Sequence, residues 1–166
     1  MNRELARNII LSLVIVLSQL LIFNHINLFG TVDTYIYVSL FILYKTTYDK
    51  TYLILFGFIV GLIIDLSLQT YGAHTLASIT VCYLKERIEK YSFGVNSKLP
   101  LAMIRGTQLT NRVTYFFLII FLHSLIYFSL IFFKFEFTLT IFLYTLINSI
   151  INFIIIWIIS MLIFDK

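Results

Sequence analysis

The chain has 166 residues, of which 60% are hydrophobic and only 12% are charged, and its mean hydropathy is +0.97. This composition excludes a soluble globular domain, a disordered tail and a coiled coil. A membrane helix needs about 20 apolar residues, so the chain accommodates at most about seven or eight spans and has no room for a separate catalytic domain. The net charge of +4 points to membrane topology and anionic lipid rather than nucleic acid, and the single cysteine, Cys82, excludes an intrachain disulfide.

Six apolar runs predict six transmembrane helices in a single domain. The first run follows Arg3 and Arg7. It is too long for the hydrophobic part of a signal peptide and lacks a small-x-small cleavage site, so we interpret it as a retained helix. The six runs cover residues 9–29, 32–44, 52–68, 71–84, 113–133 and 137–164.

The second and fourth runs are short for a membrane crossing. Thirteen or fourteen helical residues reach only about 20 Å, against about 30 Å of hydrocarbon, so either run could be a re-entrant segment. The placement of charge favours crossing, because with a cytoplasmic N-terminus every Lys and Arg except Lys134 then lies inside. We therefore predict an all-α bundle of six helices with both termini in the cytoplasm.

The one sizeable predicted loop, residues 85–112, is basic and cytoplasmic. It contains six basic and two acidic residues, so its net charge of +4 equals that of the whole chain. The loop either only fixes the topology or contacts a protein partner or anionic lipid. Its basic residues are Lys85, Arg87, Lys90, Lys98, Arg105 and Arg112.

An ionisable side chain within a membrane span is costly, and it is therefore a functional hypothesis by default. In the third run Gly57, Gly61 and Asp65 are spaced four residues apart and share one helix face. The two glycines allow a neighbouring helix to approach closely. The fourth run follows after a short turn and begins with small residues, including Gly72, so we predict a tight hairpin between runs three and four.

The register of this hairpin follows from the centre of its turn. We expect a hydrogen bond between the side chains of Asp65 and His74 near the outer end of the hairpin. The pair is interpreted as a structural clamp, as an ion or substrate site, or as two groups that face interfacial water. The expected opposite pairs are Asp65 with His74, Gly61 with Ser78, and Gly57 with Cys82.

Polar side chains also follow one face of the sixth run. Thr145, Asn148, Ser149 and Asn152 are spaced by three and four residues. Such a stripe is typical of contacts between helices of one chain, and the alternative is an interface with a second copy or a partner. Gln19 lies deep in the first run and is expected to face the bundle.

The histidines and tyrosines are expected to have structural rather than chemical roles. His123, in the middle of the fifth run, is expected to be a core histidine, and three histidines on three helices make a poor metal site. Eight tyrosines near predicted helix ends indicate an aromatic belt at the membrane interfaces. They are Tyr35, Tyr37, Tyr44, Tyr48, Tyr52, Tyr71, Tyr83 and Tyr115.

No enzyme signature is recognisable in the sequence. It contains no Gly-rich phosphate loop and no H-E-x-x-H motif, and no Ser or Cys stands beside a plausible base. We therefore expect a protein without catalytic activity, cofactor or metal.

One block of the sequence resembles a known family. The pattern G-F-x-x-G-L-x-x-D at residues 57–65, followed by G-x-H-x-L-A at 72–77, resembles the rod-shape-determining protein MreD family, in the version found in Bacteroidetes-type bacteria. The chain departs from the family pattern at Val32, where members often have proline. It also departs after the fourth run, where many members have Arg-Pro and this chain has Lys85 and Glu86.

The resemblance implies a non-catalytic subunit of the bacterial inner membrane that belongs to the cell-elongation machinery. Members of the family associate with MreC and lie near the MreB cytoskeleton and the cell-wall synthases. The family fold is similar to that of substrate-binding subunits of energy-coupling-factor vitamin transporters, which supplies the alternative function. Short external turns and few convergent polar groups in the outer half favour the first function.

Overall fold

The structure is a computed structural model and is all-α, as the sequence predicts. It describes residues 3–28, 32–44, 49–94 and 107–164. A two-residue antiparallel ladder pairs β1 (Asn27–Leu28) with β2 (Val32–Asp33). The helices are α1 (Arg3–Leu21), α2 (Val38–Leu43), α3 (Lys50–Leu68), α4 (Ala73–Phe93), α5 (Leu109–Ile131) and α6 (Thr138–Phe164).

Four stretches of helix are long and apolar enough to cross a membrane. Large apolar side chains such as Leu55, Leu66 and Leu139 are exposed on their outer faces. Exposed apolar side chains along whole helices, rather than single ones, are typical of a bundle that lipid surrounds. The protein therefore has the character of an integral membrane protein. The four stretches are Arg7–His25, Lys50–Leu68, Leu109–Ile131 and Phe135–Leu162.

The long helices pack in chain order, with α3 against α4, α4 against α5, and α5 against α6. Aliphatic and aromatic side chains fill the space between them, and Ile64, Val81, Ile120 and Ile156 are fully buried. Helix α1 lies at the edge of the bundle, and Ile15 is its most buried apolar residue among those described. The centre of the bundle is thus bounded mainly by α3 to α6.

The prediction of one continuous helix over residues 32–44, here called the core segment, is wrong. Only its second half is helical, as α2, whereas Val32–Asp33 is a strand and the next four residues are irregular or form a turn. Residues Tyr35 to Ile42 are all at most 5% exposed. The segment is apolar because it is enclosed by other helices, and a fully enclosed strand and a buried helix look alike in sequence.

The core segment nevertheless runs along most of the bundle. Near its start, the Asp33 carboxylate lies 3.5 Å from the Tyr127 hydroxyl, and near its end the Ile42 carbonyl accepts a hydrogen bond from Tyr115 at 3.2 Å. These two tyrosines are 12 residues apart on α5, which corresponds to about 18 Å of helix. A partly extended chain covers this distance with few residues, so the short second run reaches between the two levels without being a complete helix.

Other boundaries also differ from those predicted. Helix α1 ends at Leu21 rather than near residue 29, and a 3-10 turn, Phe23–His25, follows it. Helix α4 continues to Phe93, well beyond the end of the fourth run at residue 84. The loop expected over residues 85–112 is therefore shorter, because Lys85, Arg87 and Lys90 lie on α4 and Arg112 lies on α5. Lys98 and Arg105 lie outside the described residues.

Candidate functional site

The predicted close approach of α3 and α4 is confirmed at both glycines. A Cβ atom added to Gly57 would lie 2.6 Å from the sulfur of Cys82, the residue predicted to be opposite. A Cβ added to Gly61 would lie 2.6 Å from Cα of Thr75 and 3.0 Å from the carbonyl oxygen of His74. The expected pairing of Gly61 with Ser78 is therefore wrong by about one turn, because Gly61 contacts the main chain at the start of α4.

Gly72 does not contribute to this close packing. An added Cβ would meet nothing within 4 Å, but the residue has a φ angle of 95° and immediately precedes α4. Tyr71 and Gln69 in the same turn also have positive φ angles, 51° and 56°. Gly72 is thus required for the left-handed backbone conformation of the turn. Because glycine has no side chain, the residue that precedes α4 cannot cap the helix itself.

Asp65 supplies that cap from the end of α3. Its carboxylate accepts the main-chain N–H groups of His74 at 3.0 Å and Thr75 at 2.7 Å, and also the hydroxyl groups of Thr70 and Thr75. The first N–H groups of a helix have no partner within the helix, and the positive end of the helix dipole favours an anion there. The expected bond between the Asp65 and His74 side chains is wrong, since the partner is the His74 main chain. Asp65 therefore clamps the hairpin, as one of the three interpretations predicts, but it does so through the main chain of His74 rather than through the imidazole.

The imidazole of His74 instead belongs to a buried cluster at the centre of the bundle. The Tyr37 hydroxyl lies 2.9 Å from Nδ1 of His74 and 2.7 Å from Nε2 of His123. The ring of Tyr127 stacks on His74 with a centroid distance of 4.3 Å, and Tyr35 lies 5.0 Å from His123. Sequence reasoning placed His123 in the core, but it did not bring these residues together.

Asparagines of α6 bind the main chain of the core segment. Asn152 Oδ1 accepts the N–H of Tyr35 at 2.8 Å, and its Nδ2 donates to the carbonyl of Asp33 at 2.9 Å. One turn away, Asn148 Oδ1 accepts the N–H of Asp33 at 3.0 Å. The predicted polar stripe on α6 is therefore a contact within the chain, and its partner is irregular backbone rather than another helix.

Gln19 of α1 performs the same role from the other side. Its Nε2 donates to the carbonyl of Thr34 at 2.7 Å, and its Oε1 accepts the N–H of Tyr37 at 3.4 Å. Gln19 is 1% exposed, which confirms that it faces the bundle. Irregular backbone at membrane depth is stable only when its N–H and C=O groups have partners, and these three amide side chains provide them.

The aromatic belt is only partly as predicted. Tyr52 and Tyr71 are exposed and lie near helix ends, whereas Tyr83 is half-exposed but lies at the middle of α4. Tyr35, Tyr37 and Tyr115, in contrast, are fully buried and use their hydroxyl groups inside the protein, where Tyr35 bonds Ser124 at 2.8 Å. Tyr48 lies outside the described residues. The prediction was wrong for the buried three because they belong to, or face, a segment that is not a lipid-exposed helix.

The basic residues in the second half of α4 fall into two groups. Lys85 is buried and pairs with Glu89 at 3.4 Å, whereas Lys90 pairs with Glu86 at 2.6 Å on the surface. The hydrogen bond from Lys90 holds the pKa of the Glu86 carboxyl below its usual value. Among the residues predicted to contact a partner or lipid, Arg87 and Lys90 thus lie on the surface, whereas Lys85 is part of the packed interior.

Aromatic rings lie beside several of these cations. Lys50, at the start of α3, places its ammonium 4.2 Å from the ring centroid of Tyr83, and the Arg87 guanidinium lies 5.9 Å from the same centroid. Arg112 lies 5.8 Å from the ring of Trp157. Lys50 was not among the predicted contact residues, although its position just before the apolar run 52–68 is a signal that could have identified it.

No family model, curated protein or solved structure matches the chain. The described residues also contain no group of three or more His, Cys, Asp or Glu side chains that could hold a metal ion. The site therefore consists of hydrogen bonds that join the long helices to the irregular core segment, together with a buried cluster of histidines and tyrosines. These contacts are the basis for any function assigned to the protein.

Proposed function

We propose that the protein is a non-catalytic, multi-pass subunit of the bacterial inner membrane that belongs to the cell-elongation complex. In this proposal it crosses the membrane six times, with the core segment as the second crossing, and binds an MreC-like membrane protein. Through that partner it joins the MreB-associated machinery and the cell-wall synthases. The block at residues 57–77, which resembles the MreD family, supports this assignment.

The strongest support for a scaffold is that polar side chains at membrane depth have their hydrogen-bond partners within the chain. Gln19, Asn148 and Asn152 bind the core segment, and Asp65 caps α4. A subunit that captures a polar small molecule needs such groups to converge on a ligand instead. Because these four side chains are occupied within the chain, they are not available to a ligand, and we expect helix faces, outer turns and the basic inner end to bind the partner.

We further propose that the inner end of α3 and α4 contacts anionic phospholipid. Lys50 and Arg87 flank the half-exposed ring of Tyr83, and Lys90 lies on the next turn of α4. With Glu86 included, this surface has a net charge of +2 (three basic residues minus one acidic). Juxtamembrane cations and an interfacial tyrosine are the combination that lipid phosphates at the inner leaflet attract.

Affinity purification from native membranes in mild detergent tests the assignment. We expect mass spectrometry to identify an MreC-like protein with the tagged chain and not with a second multi-pass protein that carries the same tag at a matched level. Recovery of an ATPase pair together with a bound vitamin would instead establish the transporter alternative and refute the proposal.

The lipid contact is tested separately with the double variant K50Q/R87Q. Its control is K134Q, which removes one exposed cation from the turn between α5 and α6. After detergent washing, lipid mass spectrometry should find less phosphatidylglycerol retained by the double variant than by the control. Equal retention by both variants contradicts the contact and leaves the complex assignment untouched.

A further inference from the structure

Two buried histidines share one tyrosine hydroxyl at the centre of the bundle. His74 of α4 and His123 of α5 are at most 1% exposed, and Tyr37 of the core segment is fully buried between them. The hydroxyl oxygen lies 2.9 Å from Nδ1 of His74 and 2.7 Å from Nε2 of His123. Both distances are those of hydrogen bonds.

The single hydrogen of the hydroxyl constrains both rings. The Ser78 hydroxyl also lies near the Tyr37 oxygen, but it makes no hydrogen bond among the described residues. Tyr37 therefore donates its hydrogen to one imidazole and accepts an N–H from the other. If it donates to His74 Nδ1, both neutral rings have their proton on Nε2. If it donates to His123 Nε2, both have it on Nδ1. The two histidines therefore have the same tautomer, and they can change it only together.

The outer nitrogen of each ring is buried and lacks a partner among the described residues. These atoms are Nε2 of His74 and Nδ1 of His123. In either tautomer, one of them is an N–H donor and the other is a bare acceptor. Buried polar atoms are almost always hydrogen-bonded, so a donor and an acceptor left at the two ends of one chain of hydrogen bonds require an explanation.

We propose that His74, Tyr37 and His123 form a proton relay that binds one proton at a time. When local opening of the bundle lets water reach the bare outer nitrogen of one ring, a proton adds to that nitrogen, and the ring passes its inner proton to the Tyr37 oxygen. The original hydroxyl hydrogen passes to the other ring, which releases its outer proton to water. One proton enters and one leaves, and both rings end in the other tautomer. This inference stands without the proposed function.

Two neighbours of the relay offset part of the cost of burying a transient positive charge. The carboxylate of Asp65 binds the main-chain N–H of His74, and the face of Tyr127 stacks on the His74 ring at 4.3 Å. Nearby anions and aromatic faces both favour an imidazolium. The described titratable groups that face the relay are Asp33, Tyr35, Asp65 and Tyr127.

Nitrogen NMR of ¹⁵N-histidine-labelled protein in lipid nanodiscs tests the relay. The chain has three histidines, and the exposed His25 serves as an internal reference for a ring outside the cluster. At pH 8 we expect His74 and His123 to show the same tautomer. One ring protonated on Nδ1 and the other on Nε2 would overturn the proposal.

A titration from pH 8 to pH 4 provides the second test. We expect both buried rings to respond in one shared step that takes up one proton, as coupled sites do. Separate steps for the two rings, or the absence of any response, would refute the relay. Y37F should uncouple the rings, whereas Y35F should not, because Tyr35 bonds Ser124 rather than a histidine. The wild-type titration remains decisive if Y37F fails to fold.

Discussion

Asn152 of α6 holds the main chain at Tyr35 through a bond to its N–H, 2.8 Å long, and through a second bond to the carbonyl of Asp33. One side chain thus replaces both hydrogen bonds that a neighbouring strand would provide. Tyr35 is thereby fixed with its hydroxyl on Ser124 and its ring near His123. The arrangement explains how partly extended backbone is stable at the centre of a membrane protein.

Replacing Asn152 with alanine should destabilise the protein by about 1–3 kcal/mol, because it leaves the buried N–H of Tyr35 without its partner and removes the bond to the part-buried carbonyl of Asp33. Reversible unfolding in mixed detergent micelles measures the change. S149A is the matched control, since the Ser149 hydroxyl bonds only the carbonyl of Thr145 on its own helix. An equal loss of stability in both variants contradicts the role given to Asn152.

The two glycines of α3 should differ in their tolerance of alanine. G61A should cost about 1–3 kcal/mol or more, because the new methyl group meets the main chain of His74 and Thr75. G57A should cost less, since the new methyl group meets the Cys82 side chain. A double-mutant cycle with C82A measures how much of each loss of stability comes from contact with the Cys82 side chain.

In that cycle, C82A should recover part of the stability lost in G57A and none of that lost in G61A. The same unfolding assay provides the readout. If C82A recovers G61A as well, or fails to recover G57A, the packing contacts described for the hairpin are incorrect.

The cap on α4 predicts a specific effect of D65N. The variant keeps the size of the side chain but replaces one accepting oxygen with an NH₂ group, which cannot accept a hydrogen bond. Either the two bonds from Thr75 are lost, or those from the Thr70 hydroxyl and the His74 N–H. Hydrogen bonds to a charged group contribute about 1.5–3 kcal/mol each, so we expect a loss of at least about 1.5 kcal/mol. T80A, which removes an exposed hydroxyl bonded within α4, should be near neutral. A neutral D65N would show that the carboxylate does not act as the cap.

Two ion pairs on α4 allow a comparison within one helix. E89Q should destabilise the protein strongly, because Lys85 then stays buried without its paired charge, and breaking buried pairs costs about 3–5 kcal/mol. E86Q should change the stability by less than about 1 kcal/mol, since Lys90 and Glu86 are half-exposed. Thermal unfolding in the same detergent ranks the two variants. The opposite ranking contradicts the burial of Lys85.

The sequence predicts the long helices well because length and hydropathy are sufficient for them. Runs of 17 or more apolar residues identify α1, α3, α5 and α6, and the centre of the turn after the third run predicts the contact of Gly57 with Cys82. The failure lies at residues 32–44. A segment enclosed on all sides shows no periodicity, and no glycine or proline interrupts it to indicate that the helix is incomplete.

The polar contacts were only half predictable for a related physical reason. Spacing shows which face of a helix Asn148 and Asn152 share, but it does not show whether the partner is a side chain or irregular backbone. The same limit explains Asp65, whose partner near His74 is the main chain. The meeting of Tyr37, His74 and His123 involves three separate elements and depends on the depth of a segment that the sequence misassigns.

Hydrogen exchange of the core segment measures most directly whether amide side chains stabilise it inside the bundle. In nanodiscs, the amides of residues 33–37 should exchange as slowly as those of α3. In N152A they should exchange much faster, while α3 remains protected. Fast exchange in the wild type, or unchanged protection in N152A, would contradict the account.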